Sequence, residues 1–527
     1  MKTKLLAITA MLLAVSPVFS QSEFGLRIAP GAALPLGLEN IGAGFGAEAG
    51  LDWAYALGER WQFLPGLALD GSFTGLSVRE GAALTFMEAG IGPAFRWKLT
   101  GRFSFGASLN AGVSYISWNG ESGIGLKFGG NLRGAFALSP YIGLFASAGY
   151  TRSLFPANLP QNTLGFGVGV SFNLSEMMNT QTRIRGEKID QRPVFPVSYA
   201  WYQNNPAAVV RITNDEPNAI TDVSLSFFME QYMRSPTVFA SLPRLLPGET
   251  ADVPVTALFN ESMLNLLENI SANARVLIDY RSLGARKNAE LPVQMPVYHR
   301  NAMSWDDDRR AASFVSARDP AAALFAKYAA SVVDFNLKDG VPRNIQYAAG
   351  LMEALAIYGV NYVIDPASPY IEMSGNAAAL DSLNYPYQTL MYRGGDCDDL
   401  SILFCSLLEV LGIDTAFITI PGHIYMAFDA GNTEWGIRNR ANLIEHEGQL
   451  WVPVEVTIPA EGFMRAWQIG MREWVNAGEE AAVYPMRESW ELYQPVSVPG
   501  AGDRLPELPE EGEMVRRFTG EVKLLEK

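Results

Sequence analysis

Between residues 22 and 175, apolar and polar positions alternate along one segment after another. In 42–57, Phe45, Ala47, Ala49, Leu51, Trp53 and Tyr55 share one face, with Gly44, Gly46, Glu48, Gly50 and Asp52 on the other. Residues 84–99 set Met87, Ile91, Phe95 and Trp97 against Glu88, Gly90, Gly92, Arg96 and Lys98. The last run sets Leu164, Phe166, Val168, Val170 and Phe172 against Gly165, Gly167, Gly169 and Ser171. A period of two is that of a strand with one buried face. Eight strands are predicted, at 22–37, 42–57, 60–74, 84–99, 102–118, 123–138, 140–153 and 164–174. A soluble sandwich would carry more lysine and glutamate on its solvated face. Here the polar face is small residues with occasional charges of both signs, and the stretch holds more than half of the chain's 49 glycines. That suits a narrow lumen where Arg and Glu pair, while an apolar face ending in Trp and Tyr suits lipid. Eight strands leave an interior that side chains fill, so the predicted antiparallel β-barrel is an anchor or plug rather than a pore.

With the aromatic Phe172 near the end of its last strand, the segment 21–175 resembles the small outer-membrane β-barrel families. The resemblance implies outer-membrane lipid as a partner. The chain departs from those families by continuing for another 352 residues. Ahead of the barrel, Met1-Lys2-Thr3-Lys4, the apolar run Leu5–Val15 and the small residues Val18 and Ser20 before Gln21 form a secretory signal peptide, residues 1–20. The apolar run is shorter than the ~20 residues of a spanning helix, and no later segment is long enough for one.

After the barrel the pattern changes. Residues 176–196 are polar, charged and closed by Pro193 and Pro196, which reads as a linker. Residues 197–300 hold short β-type runs (207–212, 223–228, 251–255, 275–280, 290–298) separated by turn signals, as in an immunoglobulin-like β-sandwich acting as a spacer. From 301 to 495 helical periodicity alternates with strands, an α+β pattern. Asp319-Pro320 is an N-cap followed by proline at the first helical position, and Pro342 opens a second helix. The tail, 496–527, is rich in Pro, Gly and Glu; only 513–525 could order on a partner, and the tail is assigned no role.

A net charge of −15 excludes nucleic acid as a partner, since that needs a basic footprint. Two cysteines and three scattered histidines make no ligand set, so no metal, nucleotide or haem cofactor is expected. Cys397 and Cys405 lie on one predicted helix, roughly 12 Å apart along its axis at ~1.5 Å per residue. That is beyond the ~7 Å a disulfide tolerates, so an exported chain keeps a free thiol.

That thiol lies in Gly394-Gly395-Asp396-Cys397-Asp398-Asp399-Leu400-Ser401, where a turn becomes a helix that buries Leu400, Leu403, Phe404, Leu407 and Leu408. The first turn of a helix offers unpaired N–H groups that favour an anion and can donate to an oxyanion. The three aspartates around it suit the dipole but oppose a thiolate by charge, so an imidazolium partner is needed. His423, in Pro421-Gly422-His423, follows Cys397 by 26 residues and opens a strand. In the next strand, Leu450–Thr457, Trp451, Pro453 and Glu455 share a face, which lets Glu455 lie beside His423 and fix its tautomer. Asp429, just past the His423 strand, is the weaker candidate for that acid. Gln388 or Tyr387 is a candidate side-chain donor to an oxyanion, by nearness in sequence. His299 reads as structural, His446 as solvated and Cys405 as core packing.

Arg393-Gly394-Gly395-Asp396-Cys397-Asp398-Asp399, Pro421-Gly422-His423 and Trp451-Val452-Pro453-Val454-Glu455-Val456-Thr457 resemble, in order and layout, the transglutaminase-like cysteine domain of the papain-like superfamily. That resemblance covers about a third of the chain. It implies that Cys397 is the nucleophile, His423 the base and Glu455 the orienting acid, although the family normally has aspartate there. It also implies a thioester passed to water or an amine, as in proteases, amidases and cross-linking enzymes. Together these readings describe a cysteine enzyme anchored in the outer membrane, with its C-terminal domains in the periplasm acting on proteins or cell-wall peptides. The alternative is a membrane-to-wall scaffold whose cysteine domain binds without turnover.

Overall fold

The computed structural model describes residues 22–37, 41–55, 63–78, 84–118, 121–155, 162–178, 181–364, 380–431 and 433–525. The signal peptide read over 1–20 lies outside them. The alternating segments form β1 (Ser22–Leu36), β2 (Ile41–Tyr55), β3 (Phe63–Val78), β4 (Leu84–Lys98), β5 (Phe103–Trp118), β6 (Glu121–Ala137), β7 (Ile142–Leu154) and β8 (Asn162–Asn173). Each strand pairs antiparallel with the next, and β8 returns to β1, so an eight-stranded barrel closes. The period of two then decides which side each residue faces. Phe45, Leu109, Ile124, Val168 and many other large apolar side chains stand exposed on the outside. Buried apolar area is worth about 25 cal/mol per Å², so this belt calls for a lipid environment. The polar face turns inward and pairs its charges: Arg27 reaches Asp52 at 2.7 Å and Asp70 at 2.6 Å, and Arg133 reaches Asp52 at 3.0 Å.

The chain divides into two compact units, the first containing the barrel and the second nearly everything after residue 183. The second unit begins with seven strands: β9 (Ile184–Gln191), β10 (Ala208–Asn214), β11 (Ile220–Phe228), β12 (Thr237–Leu245), β13 (Thr250–Val255), β14 (Ile270–Ser282) and β15 (Ala285–Val297). They form two sheets, ordered β13-β10-β9 and β12-β11-β14-β15. Val210, Ile212 and Val253 of one sheet share a core with Leu225, Phe227, Val276 and Ile278 of the other. Two of these strands were not expected, β9 within the presumed linker and β12. Both are sheet edges, where a strand needs only one hydrogen-bonded neighbour and tolerates charge (Glu187, Lys188) or proline (Pro243).

The rest of this unit is mixed helix and sheet. Short pairs are made by β16 (Ala302–Ser304) with β18 (Leu380–Ser382), and by β17 (Asn361–Tyr362) running parallel to β19 (Gly394–Gly395). The main sheet has five strands: β20 (Thr415–Ile420), β21 (His423–Asp429), β22 (Ile444–His446), β23 (Gln449–Val454) and β24 (Ala482–Pro485), in the order β22-β23-β21-β20-β24. Around it lie α1 (Pro320–Asp334), α2 (Arg343–Tyr358), α3 (Pro386–Tyr392), α4 (Cys397–Val410), α5 (Phe463–Ala477) and α6 (Glu511–Leu525). Asp319 caps α1 as its sequence predicts, accepting from the Ala321 and Ala322 N–H groups at 3.0 Å. Helix α4 is buried on every side from Cys397 to Leu408, which makes it the centre of the core.

The tail differs from expectation. Helix α6 lies inside it and buries Met514, Phe518 and Val522 in the same core as α1, α2 and α4. Spaced four residues apart, these three form one apolar stripe, so the helix orders on its own chain rather than on a partner. Replacing fully buried Phe518 by alanine is therefore expected to destabilise the second unit by about 3–5 kcal/mol. Leu524→Ala, on the exposed side of α6, should cost under about 0.5 kcal/mol. Urea unfolding of the detergent-solubilised protein, followed by tryptophan fluorescence, measures both; equal midpoints would remove α6 from the core.

Candidate active site

The approach to Cys397 is fixed by close packing. Gly395 lies where a Cβ would come within 2.4 Å of the Asp399 Cβ, so only glycine lets the chain turn into α4 at this point. Asp399 in turn accepts from the Asn384 backbone N–H and from its side-chain amide, both at 2.6 Å, which ties the turn to the segment after β18. Asp396 is the N-cap in extended conformation, and Cys397 is the first residue of the helix, 4 % exposed. Both cysteines are free thiols, and Cys405 is wholly buried.

The histidine is delivered by a two-residue hairpin. Ile420 pairs with His423 across Pro421-Gly422, and Gly422 takes φ of 74°, which a type II turn requires after proline. His423 Nε2 meets Glu455 Oε2 at 2.7 Å. Glu455 follows β23 directly and has its other oxygen occupied by the Thr457 N–H at 2.9 Å and by the Thr457 hydroxyl. The Cys397 sulfur lies beside the imidazole and is the partner that raises it most. With Nε2 taken by Glu455, the ring nitrogen left to face sulfur is Nδ1. Cys397, His423 and Glu455 thus come together from the N-terminus of α4 and two adjacent strands, with His423 and Glu455 joined by a hydrogen bond.

Burial works against charge on His423, but the hydrogen bonds to Cys397 and Glu455 outweigh it and hold the imidazole up at about 10. Burial likewise opposes the Glu455 carboxylate, yet its bond to His423 brings it down to about 2. Among the aspartates, burial pushes Asp398 well above the ordinary carboxylate range, with a hydrogen bond to Asp396 next in size. Burial and then the charge of Asp396 lift Asp399 to about 8. Asp398 and Asp399 are thus both shifted toward their protonated forms, and the repulsion expected against a thiolate is weaker than three full charges would exert.

The other candidates fall elsewhere. Asp429 ends β21, six residues and about 20 Å along the strand from His423. The Oε1 atom of Gln388 belongs to the capping box of α3, accepting from the Tyr385 N–H at 2.9 Å and from Asn301 at 2.8 Å. The Tyr387 hydroxyl accepts from Arg300 at 2.8 Å. Both residues thus help to build the start of α3 through their oxygens, while the groups that would donate to an oxyanion are the Gln388 Nε2 amide and the Tyr387 O–H. His299 is half-buried, its N–H bonded to Asn269, and burial lowers its imidazole. His446 ends β22, at the far edge of the sheet from the hairpin that carries His423.

Two groups at the site were missed. Tyr362, on β17 beside Gly395, has its phenol raised by burial first and then by the charges of Cys397, Asp396 and Glu455. Glu473, on α5, brings its Oε2 to 3.8 Å from His423 Nε2. No pattern in the sequence marks either one, since each reaches the site only through tertiary packing. Two sets of donor atoms lie within 4.8 Å of one another, His423-Glu455-Glu473 and Asp396-Asp398-Asp399. In the first the imidazole nitrogen is already bonded to Glu455, and in the second the carboxylates are engaged with N–H groups and one another, so neither is assigned to a metal.

No protein-family model matches this sequence, and no curated protein matches it. Among solved structures, Neisserial surface protein A is similar to 29 % of this chain over 97 % of its own, at 14 % identity and a TM-score of 0.22. Ail of Yersinia pestis, in complex with the heparin analogue sucrose octasulfate, matches 29 % of this chain over 96 % of its own, at 14 % identity and a TM-score of 0.21. OprG from Pseudomonas aeruginosa matches 29 % over 95 % of its own, at 11 % identity and a TM-score of 0.20. The N-terminal barrel resembles these outer-membrane proteins; its closure and strand order rest on its own pairing.

The charge states carry a stability prediction. His423 is raised from 6.5 to about 10, so its contribution is complete below pH 6.5 and is lost as pH rises through about 10. Glu455 is lowered from 4.5 to about 2, so its contribution is complete above pH 4.5 and is lost as pH falls through about 2. Glu455→Gln should therefore cost most between those limits, about 1–3 kcal/mol for a charge-assisted hydrogen bond, and progressively less above them. Urea unfolding of both proteins at about pH 5.5 and about pH 9 tests this; a penalty independent of pH would refute it.

Proposed function

We propose that this protein is a cysteine acyl-transfer enzyme of transglutaminase-like type, anchored in an outer membrane by its barrel. The observation that carries the reading is the His423–Glu455 hydrogen bond beside a cysteine whose sulfur sits at the start of a buried helix. In this reading the Cys397 Sγ, its proton passed to His423 Nδ1, attacks the carbonyl carbon of an amide. The oxyanion that forms meets N–H groups of the first turn of α4, with the Gln388 amide or the Tyr362 phenol as a side-chain donor. His423 then gives its proton to the departing amine, leaving an acyl group on sulfur as a thioester. Water or a second amine attacks that thioester, His423 takes its proton, and the thiol is regenerated. Glu455 remains ionised throughout and holds the imidazole in register.

The barrel supports the location. Its outward belt is apolar, its inward charges are paired, and an even number of strands returns the chain to the side from which it entered. Short turns conventionally lie on the periplasmic side, which supports a reading in which the second unit works in the periplasm, with periplasmic proteins and the peptide stems of the wall as substrates. A second reading, a non-catalytic membrane-to-wall scaffold, is favoured by one feature, the 4 % exposure of Cys397.

An acylating probe applied to cell envelopes separates the two. The enzyme reading expects a covalent adduct on Cys397 that is absent in Cys397→Ser and slowed by about 100-fold or more in His423→Ala. Labelling at the rate of an ordinary cysteine, unaltered by His423→Ala, would leave the scaffold.

A further inference from the structure

Among the described residues His423 is the one cation paired with Glu455, yet it has two carboxyls beside it. Glu455 Oε2 lies 2.7 Å from His423 Nε2 and Glu473 Oε2 lies 3.8 Å from the same nitrogen. The three atoms fall within 4.8 Å of one another. Two carboxylates this close, sharing one cation and largely shielded from water, do not both stay ionised at low cost. The hydrogen-bond pattern points the same way. Glu473 Oε2 is buried and, among the described residues, no N–H or O–H group donates to it. As an ionised oxygen it would be a stranded acceptor; as a carboxyl O–H it has an acceptor at hand in Glu455.

Resting on the reading of Cys397, His423 and Glu455 as a catalytic set, we propose that Glu473 is a positioning residue of the site, a second carboxyl that holds a proton in the resting enzyme, shares it with Glu455, and thereby sets how firmly His423 is kept as a cation. With Glu473 protonated, part of the Glu455 charge is drawn into the carboxyl–carboxylate bond and less of it acts on the imidazolium. When Glu473 ionises, two negative charges face one imidazolium, which is then held more firmly, and the Cys397 proton is given up to it more completely. The switch falls near neutral pH, because burial, then the hydrogen bond to Glu455 and its charge, raise Glu473 to about 7.

The surroundings of Glu473 are consistent with this. From β21 it is faced by His423 and by Tyr425, whose phenol is raised by burial and then by Glu473 itself. From the end of β23 it is faced by Glu455, whose far oxygen is already occupied by Thr457. On its own helix Arg472 lowers it by charge, the smallest of the effects on it. Cys397 on α4 and Tyr362 on β17 lie beyond His423 and Glu455 and feel the change through them.

The test is the rate of iodoacetamide alkylation at Cys397 in the full-length detergent-solubilised protein, followed from about pH 5 to about pH 9. The wild type is expected to show a rise of about tenfold, one unit in the proton balance of the pair, centred near pH 7. Glu473→Gln, which keeps a donor toward Glu455 but cannot ionise, should match the wild type below the rise and stay at that level through it. Glu473→Asp, which keeps an acid on a shorter arm, should displace or shrink the rise. A wild type without the rise, or a rise unchanged in position and height in the variants that fold, overturns the proposal. His423→Ala distinguishes the two layers of the reading. If it slows alkylation while the rise survives in Glu473→Gln, the assignment of Glu473 alone falls; if it leaves alkylation unaltered, the catalytic set falls and Glu473 with it.

Discussion

The site depends on a carboxylate held 2.7 Å from an imidazole in a place where neither would be charged alone. Burial opposes both charges, and each is sustained by the other: the bond lowers Glu455 to about 2 and helps hold His423 at about 10. Geometry follows from this. An imidazole gripped at Nε2 has a fixed ring plane, so Nδ1 can only face toward α4, where Cys397 begins the helix. Thr457 completes the arrangement by occupying the other oxygen of Glu455, which stops the carboxylate rotating away.

That bond in turn requires a rigid platform. Helix α4 is buried on all sides between the sheet and helices α1 and α2, so the sulfur at its N-terminus cannot drift without disturbing the main core. The hairpin β20–β21 and the neighbouring strand β23 supply the other two members from the sheet against which α4 packs. Three elements distant in sequence thus converge at one helix end, and the tail helix α6 adds Phe518 to the same core. Orientation at the site and stability of the unit are for this reason hard to separate by mutation of core residues, whereas Glu473 and Tyr362 at the rim alter the site with little of the core.

Much of this was legible in the chain. The alternation at Phe45–Tyr55 and Leu164–Phe172 has one physical meaning, a strand with lipid on one side, and the barrel follows from its repetition. Gly395, Pro421-Gly422 and the Asp319-Pro320 cap are local: each is demanded by backbone geometry within a few residues, so each could be read directly. What failed was non-local. Edge strands β9 and β12 carry charge and proline because only one neighbour constrains them. The tail looked unstructured because its composition is polar, yet three residues spaced by four were enough to seat it once a groove existed. The sequence likewise did not show that Gln388, three residues from Tyr385, lends its Oε1 to the cap of α3. Glu473 lies in a helix that shows nothing but ordinary amphipathic spacing.

The two units solve the same electrostatic problem in opposite ways. Inside the barrel, guanidinium groups are supplied to match the acids: Arg27 lies between Asp52 and Asp70, and Arg133 meets Asp52 from another strand. Around Cys397 the acids outnumber the cations. Among the described residues no lysine or arginine forms an ion pair with Asp398, Asp399, Glu455 or Glu473, and His423 is the one partner for two of them. Where arginine is not provided, the remaining way to neutralise a buried carboxylate is a proton, and Asp398, Asp399 and Glu473 are all raised accordingly. A lumen balanced by arginines has its acids matched by fixed cations. A site balanced by protons, with Glu473 raised to about 7 and Asp399 to about 8, can take up and release them near neutrality.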